Sequence, residues 1–156
     1  RSTLFPYTTL FRSWLTLSPT ILPTTASPSF ELPDGEMEIG IGIHGEPGTH
    51  REKLRTADEI VTMLLDKILA DLDYSGGEVS VMVNGAGATP LMELYVINNK
   101  VHDILKQRGI TVFKTYVGNY MTSIDMAGFS ISLLRMDAQF KALLVAPADT
   151  PAFVES

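Results

Sequence analysis

One histidine carries most of the chemical potential of this chain. His44 lies in Met37-Glu38-Ile39-Gly40-Ile41-Gly42-Ile43-His44-Gly45-Glu46-Pro47-Gly48, flanked by glycine and followed by an acid and a Pro-Gly turn. A neutral imidazole does acid–base work near neutral pH, or attacks an electrophilic carbonyl through its unprotonated nitrogen. Glu46 is placed to orient the ring or hold its proton, and Gly45 and Gly48 free the backbone to fold around a ligand. A second reading of the same residues is a histidine bonded to a loop carbonyl, with Glu46-Pro47-Gly48 a plain turn.

The other chemistry-bearing groups give weaker signals. His50 makes a His-x5-His pair with His44, but two nitrogens without a firm third ligand do not make a zinc site, so no metal is expected. His102, beside Asp103 and Lys100, reads as solvated surface. Gly85-Ala86-Gly87 precedes a helix start, where free amides attract anions. It lacks both the dinucleotide glycine spacing and the lysine of a Walker loop, so a structural turn is preferred over a phosphate or crevice contact. The stretch from Gly118 to Met126 gathers Asn, Tyr, Thr, Ser and Asp, a density that suits a ligand, a partner or an ordinary loop. Met63, Leu64, Leu91 and Leu94 read as core.

These groups need elements to hold them. Met37, Ile39, Ile41 and Ile43 alternate with Glu38, Gly40 and Gly42, which predicts a strand with one face on the core and His44 at its exposed end. Crevices beyond strand ends are where open α/β sheets collect ligands. Thr56 and Glu59 form a capping box ahead of helically spaced Ile60, Leu64, Ile68 and Leu72, predicting a helix through Asp73. A Val-rich buried strand is expected from Glu78 to Val83, then a second helix with Thr89 as cap and Pro90 as first residue, ending near Arg108 before Gly109. Ile110 to Val117 and Phe129 to Met136 read as strands around a loop from Gly118 to Ala127, with Ala142 to Val145 as a last strand. The order β-α-β-α-β-β-β implies an α/β domain with a mixed sheet flanked by helices.

Composition bounds the rest. A chain of 156 residues, 45% apolar, can bury one core. Its net charge of −6, with 12 scattered Lys and Arg, argues against nucleic-acid binding. No apolar run reaches the roughly 20 residues of a membrane span, and the absence of cysteine is compatible with the cytoplasm, the expected location. Residues 1–12 show no periodicity and no signal-peptide order, and look like a translated sequencing adapter; 13–28, with Pro19, Pro23 and Pro28, read as an extended linker. The domain proper is therefore expected over residues 29–156.

Three ordered motifs add what spacing cannot. Met37 to Gly48 with Phe30-Glu31-Leu32 before it, then Val83-Asn84-Gly85-Ala86-Gly87-Ala88-Thr89-Pro90-Leu91-Met92-Glu93-Leu94-Tyr95, then Gly118-Asn119-Tyr120-Met121-Thr122-Ser123 through Ser130, resemble the dihydroxyacetone kinase substrate-binding subunit, in its second domain. The resemblance implies that His44 holds the ketone covalently as a hemiaminal, with Gly45 and Glu46 beside the substrate. It implies that no cofactor is held by this chain, the phosphoryl donor being ATP on a fused domain or ADP on a partner subunit. The stretch between Gly48 and Glu78 resembles the phosphotransferase-dependent forms slightly more. The family's N-terminal domain, which supplies a catalytic Asp and His, has no counterpart before Ser29, so the fragment alone is expected to have little or no kinase turnover. Expected partners are dihydroxyacetone, that missing domain, an ADP-binding subunit and a second copy in a homodimer. A non-catalytic dihydroxyacetone-binding regulatory paralogue and a plain interaction module are the alternatives.

Overall fold

The structure, a computed structural model, describes residues 10–16, 21–22, 27–28, 30–42 and 47–155. The strands are β1 (Leu10–Thr16), β2 (Ile21–Leu22), β3 (Ser27–Pro28), β4 (Glu36–Ile39), β5 (His50–Lys53), β6 (Glu78–Gly85), β7 (Thr111–Gly118), β8 (Gly128–Arg135), β9 (Ala148–Asp149) and β10 (Val154–Glu155). The helices are α1 (Ala57–Asp71), α2 (Leu91–Gln107) and α3 (Ala138–Leu144). One 6-stranded sheet runs β5-β4-β1-β8-β6-β7, and two hairpins, β2-β3 and β9-β10, stand apart from it. Among the described strands of this sheet β6 and β7 pair in parallel, joined through α2, and the other neighbours are antiparallel, which makes the sheet mixed.

The core follows from the alternation of the central strands. Val79, Val81 and Val83 of β6 and Phe129, Ile131 and Leu133 of β8 turn to one face and are buried there. Leu64, Leu65 and Ile68 of α1 and Leu94, Val101 and Leu105 of α2 close over them. Each such side chain contributes about 1.5–3 kcal/mol relative to exposure, so this layer dominates the fold's stability. Thr56 caps α1 through the expected box, its hydroxyl accepting from the Glu59 amide while the Glu59 carboxylate accepts from the Thr56 amide.

Several elements differ from the reading by periodicity. Leu10–Thr16, placed by that reading in the foreign segment and the start of the linker, forms β1, hydrogen-bonded to β8 along its length and to β4 at its end. It supplies partners for the backbone groups that β8 and β4 would otherwise leave unpaired, a long-range demand that local spacing does not reveal. The charged run His50–Lys53 forms an edge strand, β5, that the alternation rule passes over. Ala142 to Val145 is not a strand: Asp137 caps α3 by accepting the Phe140 amide at 2.7 Å, and the Ala, Gln, Lys and Leu that follow are good helix formers. β4 stops at Ile39 rather than Ile43, because Gly40 takes φ +81°, outside the extended region. Ile41 is still buried.

Candidate functional site

The three motif segments meet at one level of the sheet. Ile39 pairs with Leu15, Leu15 with Phe129, and Phe129 with Gly85, so the last residue of β4 and the last of β6 lie in one row. Three strand steps of about 4.8 Å put them roughly 14 Å apart. Asn84 pairs with Gly118 in the neighbouring row, which brings the end of β7 to the same level.

At the β6 end, a neutral side chain does the stitching. Asn84 is 2% exposed. Its Oδ1 accepts from the amides of Tyr120 and Met121, both at 2.8 Å, and its Nδ2 donates to the Met121 carbonyl at 2.7 Å. The loop after β7 is thereby drawn across the turn after β6. Ser123 Oγ donates to the Ala86 carbonyl at 2.7 Å, the Ala88 amide donates to the Met126 carbonyl, and Gly87 bridges to Met126. There is no room for larger residues in this turn. A Cβ on Gly87, at φ +124°, would stand 2.6 Å from the Ser123 carbonyl oxygen, and one on Gly85 would collide with Asn119 Oδ1. The glycines are thus used for loop packing, as the structural-turn reading expected.

Thr89 was expected to cap α2 and does not. Its hydroxyl donates to the Gly128 carbonyl at 2.7 Å and accepts the Gly128 amide at 2.9 Å, riveting the helix approach to the start of β8. Pro90 is the cap residue, with no side-chain bond. Leu91, read as core, is 52% exposed, and Met92, Tyr95 and Val96 are exposed with it, whereas Leu64 and Leu94 are fully buried and Met63 partly so.

At the β4 end a carboxylate does the stitching. Glu38 is 5% exposed although it is charged. Its Oε1 accepts the Gly48 amide at 2.6 Å and its Oε2 accepts Arg51 Nε at 2.9 Å. The Ile39 carbonyl takes both the amide of Thr49, at 2.7 Å, and its hydroxyl, at 3.1 Å. These bonds close the hairpin connection between β4 and β5, in which His44 falls. His44, Gly45 and Glu46, the expected site residues, lie outside the described residues, as does any pairing of His44 with His50. Glu38 was not singled out from the sequence. Its signal was an acid, two residues after Glu36, on the glycine-bearing face of a strand whose other face is apolar.

The remaining titratable groups sort into structural roles. His50 Nδ1 contacts Thr49 Oγ1 at 3.1 Å, and its Nε2 lies 3.5 Å from Glu52. His102, expected to be solvated, is half-buried, its Nε2 bonded to Thr115 Oγ1 at 3.0 Å across α2 and β7. Among the described residues no group of three or more His, Cys, Asp or Glu could hold a metal ion. On the far edge of the sheet Tyr116, Tyr120 and Phe153 form an aromatic trio, Tyr120 edge-on to both other rings and Tyr116 tilted against Phe153, and Lys114 meets Glu155 at 2.5 Å. The hydrogen bond to Glu155 holds the Lys114 ammonium above its ordinary pKa, and burial, with Tyr116 and Tyr95 nearby, raises that of Tyr120. Among the described residues no helix is long and apolar enough to cross a membrane.

Comparison with known proteins supplies the setting for this geometry. Residues 13–152 match a family model described as the Dak1 domain. The chain is 48% identical over 139 residues to the dihydroxyacetone-binding subunit DhaK of PTS-dependent dihydroxyacetone kinase 1 from Listeria innocua, covering 88% of this chain and 42% of that protein. It therefore spans less than half the length of the curated relative it matches. Among solved structures, the dihydroxyacetone kinase operon co-activator Dha-DhaQ superposes with a TM-score of 0.87 at 34% identity, over 94% of this chain and 46% of that one. The dihydroxyacetone kinase of C. freundii in its native form superposes with a TM-score of 0.78 at 26% identity, over 94% and 27%.

Proposed function

The chain belongs to the Dak1 domain family, and from that premise we propose that it is the substrate-capturing half of a dihydroxyacetone kinase, with His44 as the capturing residue. The match to a dihydroxyacetone-binding subunit carries this reading, and the run of the motif from β4 into the connection that leads to β5 supports it. In the proposed step the unprotonated ring nitrogen of His44 attacks the carbonyl carbon of dihydroxyacetone. A carbon–nitrogen bond forms, the carbonyl π pair moves to oxygen, that oxygen takes up a proton, and the ring gives up its own N–H proton. The product is a neutral hemiaminal, and no oxidant or reductant is needed. Gly45 and Glu46 flank the captured triose.

Capture of this kind selects by bond formation. Glycerol presents hydroxyls but no carbonyl, so it forms no adduct, whereas a pocket of hydroxyl contacts would discriminate only by hydrogen-bond energy. One hydroxyl of the held triose is then phosphorylated by a donor that this chain does not carry. We take the donor to be an ADP-bearing subunit of a phosphotransferase-dependent system, in keeping with the relative from Listeria innocua. The acid–base groups for that transfer belong to the other half of the full-length protein, and the assembly is proposed to be a homodimer in the cytoplasm.

Intact-mass measurement of the chain incubated with dihydroxyacetone tests the capture. The wild type should gain the mass of one triose and His44→Ala should gain nothing, with glycerol inert toward both. A folded wild type that gains no mass, and shows no adduct by crystallography, would falsify the reading. A second reading, capture for signalling rather than phosphorylation, is favoured by the likeness to the operon co-activator. It keeps the adduct but predicts that the full-length protein, mixed with its donor subunit, releases no phosphorylated triose.

A further inference from the structure

We propose that Glu38 is a positioning residue for carbonyl capture, a role that rests on the covalent reading of His44 given above. A buried carboxylate is costly unless its oxygens are matched, and here they are divided between two tasks. Oε1 accepts the amide of Gly48, the last residue of the motif, at 2.6 Å, while Oε2 accepts Arg51 Nε, at 2.9 Å, on the returning strand β5. The neighbours of Glu38 in β4, Met37 and Ile39, already supply the burial that holds the strand. The core therefore makes no use of a charge at this position.

What the carboxylate does accomplish is to fix one end of the connection relative to the other. Gly40 leaves β4 at φ +81°, and Gly48 returns onto Glu38 before Thr49 bonds back to the Ile39 carbonyl. The approach is tight enough to require glycine, since a Cβ on Gly48 would stand 2.5 Å from the Ile39 carbonyl oxygen and 2.6 Å from Glu38 Cγ. Gly48 therefore has a second use besides backbone freedom near a ligand: it admits the carboxylate. Restraining the ends of a connection reduces the conformations open to the residues between them, and a nucleophile must approach a carbonyl carbon within a narrow range of poses.

Two readouts on the 156-residue chain test this: hydrogen exchange at the Gly48 amide, and the half-saturating concentration of dihydroxyacetone for adduct formation. Glu38→Ala should speed Gly48 exchange and raise half-saturation, each by about tenfold or more, while α1 and α2 stay protected. Gly48→Ala, acting on the same contact from the other side, should do likewise. Glu38→Gln keeps an acceptor for Gly48 and should restore most of the wild-type affinity, a rescue that general destabilisation would not produce. If Glu38→Ala frees the Gly48 amide yet binds the triose like wild type, the positioning role is overturned and capture by His44 stands. If Glu38→Ala does not fold, Gly48→Ala against Glu38→Gln decides, and equal affinities in those two overturn the role. A wild type indistinguishable from His44→Ala removes the capture reading and this inference with it.

Discussion

The ends of β4 and β6 lie level in the sheet and solve the same problem with different side chains. Each must hold a returning loop against a strand terminus by satisfying backbone groups that the sheet no longer pairs. At β6, Asn84 uses both a donor and an acceptor, and its partners are main chain apart from Ser130 Oγ, which its Nδ2 meets at 3.4 Å. At β4, Glu38 offers acceptors only, so a cation from β5 completes the arrangement. A neutral amide makes a junction that is insensitive to charge and built mostly on backbone. A carboxylate makes stronger bonds, but ties the loop to the presence of Arg51.

Removing the amide should break the comparison most severely. Asn84→Ala leaves two amides and a carbonyl without their partner in a buried junction, and is expected to cost about 2–4 kcal/mol in denaturant unfolding. Asn84→Asp sharpens the point: it retains the acceptor toward Tyr120 and Met121 but turns an oxygen toward the Met121 carbonyl, so it should recover only part of the loss. Gly87→Ala, with its Cβ pressed on the Ser123 carbonyl at a left-handed φ, is expected to cost about 1–3 kcal/mol by the same measurement. Glu38→Gln keeps the Gly48 bond and gives up the ion pair to a half-exposed arginine, so about 1 kcal/mol is expected, and less in high salt.

The smallest effect is a pH dependence remote from both ends. Hydrogen bonds from Thr56 hold the Glu59 carboxyl below its ordinary value of 4.5. A group depressed on folding stabilises the folded state above the unfolded pKa, and that contribution is lost as pH falls through the lower, folded value. Thermal melts should therefore show wild type and Glu59→Gln converging as pH drops below about 4.5, and separated at neutral pH, with no change at either loop junction.

What the sequence made legible was what repeats locally. α1 carries its cap, its apolar stripe and its stop close together, β6 announces itself as a short Val-rich run, and β7 by alternation. β1 was missed because its reason to be a strand lies in β8 and β4, far along the chain. α3 was missed because a short run of Ala and Leu is apolar in either conformation, and only the Asp137 cap decides it. The family motifs could be read from residue types, whereas Glu38, Asn84 and Thr89 could not be assigned their bonds. Their partners are backbone groups on other segments, which a string of side-chain letters does not display. His102 was misread for a related cause, since Thr115 meets it from β7.

β5 closes one side of the sheet with the sequence His50, Arg51, Glu52, Lys53. An outermost strand offers unpaired amides and carbonyls to any extended peptide, and short length together with ionised side chains makes that offer poor. The return limb of the β4–β5 connection thus doubles as a guard rail: it keeps neighbouring molecules in a crowded solution from zipping onto the sheet.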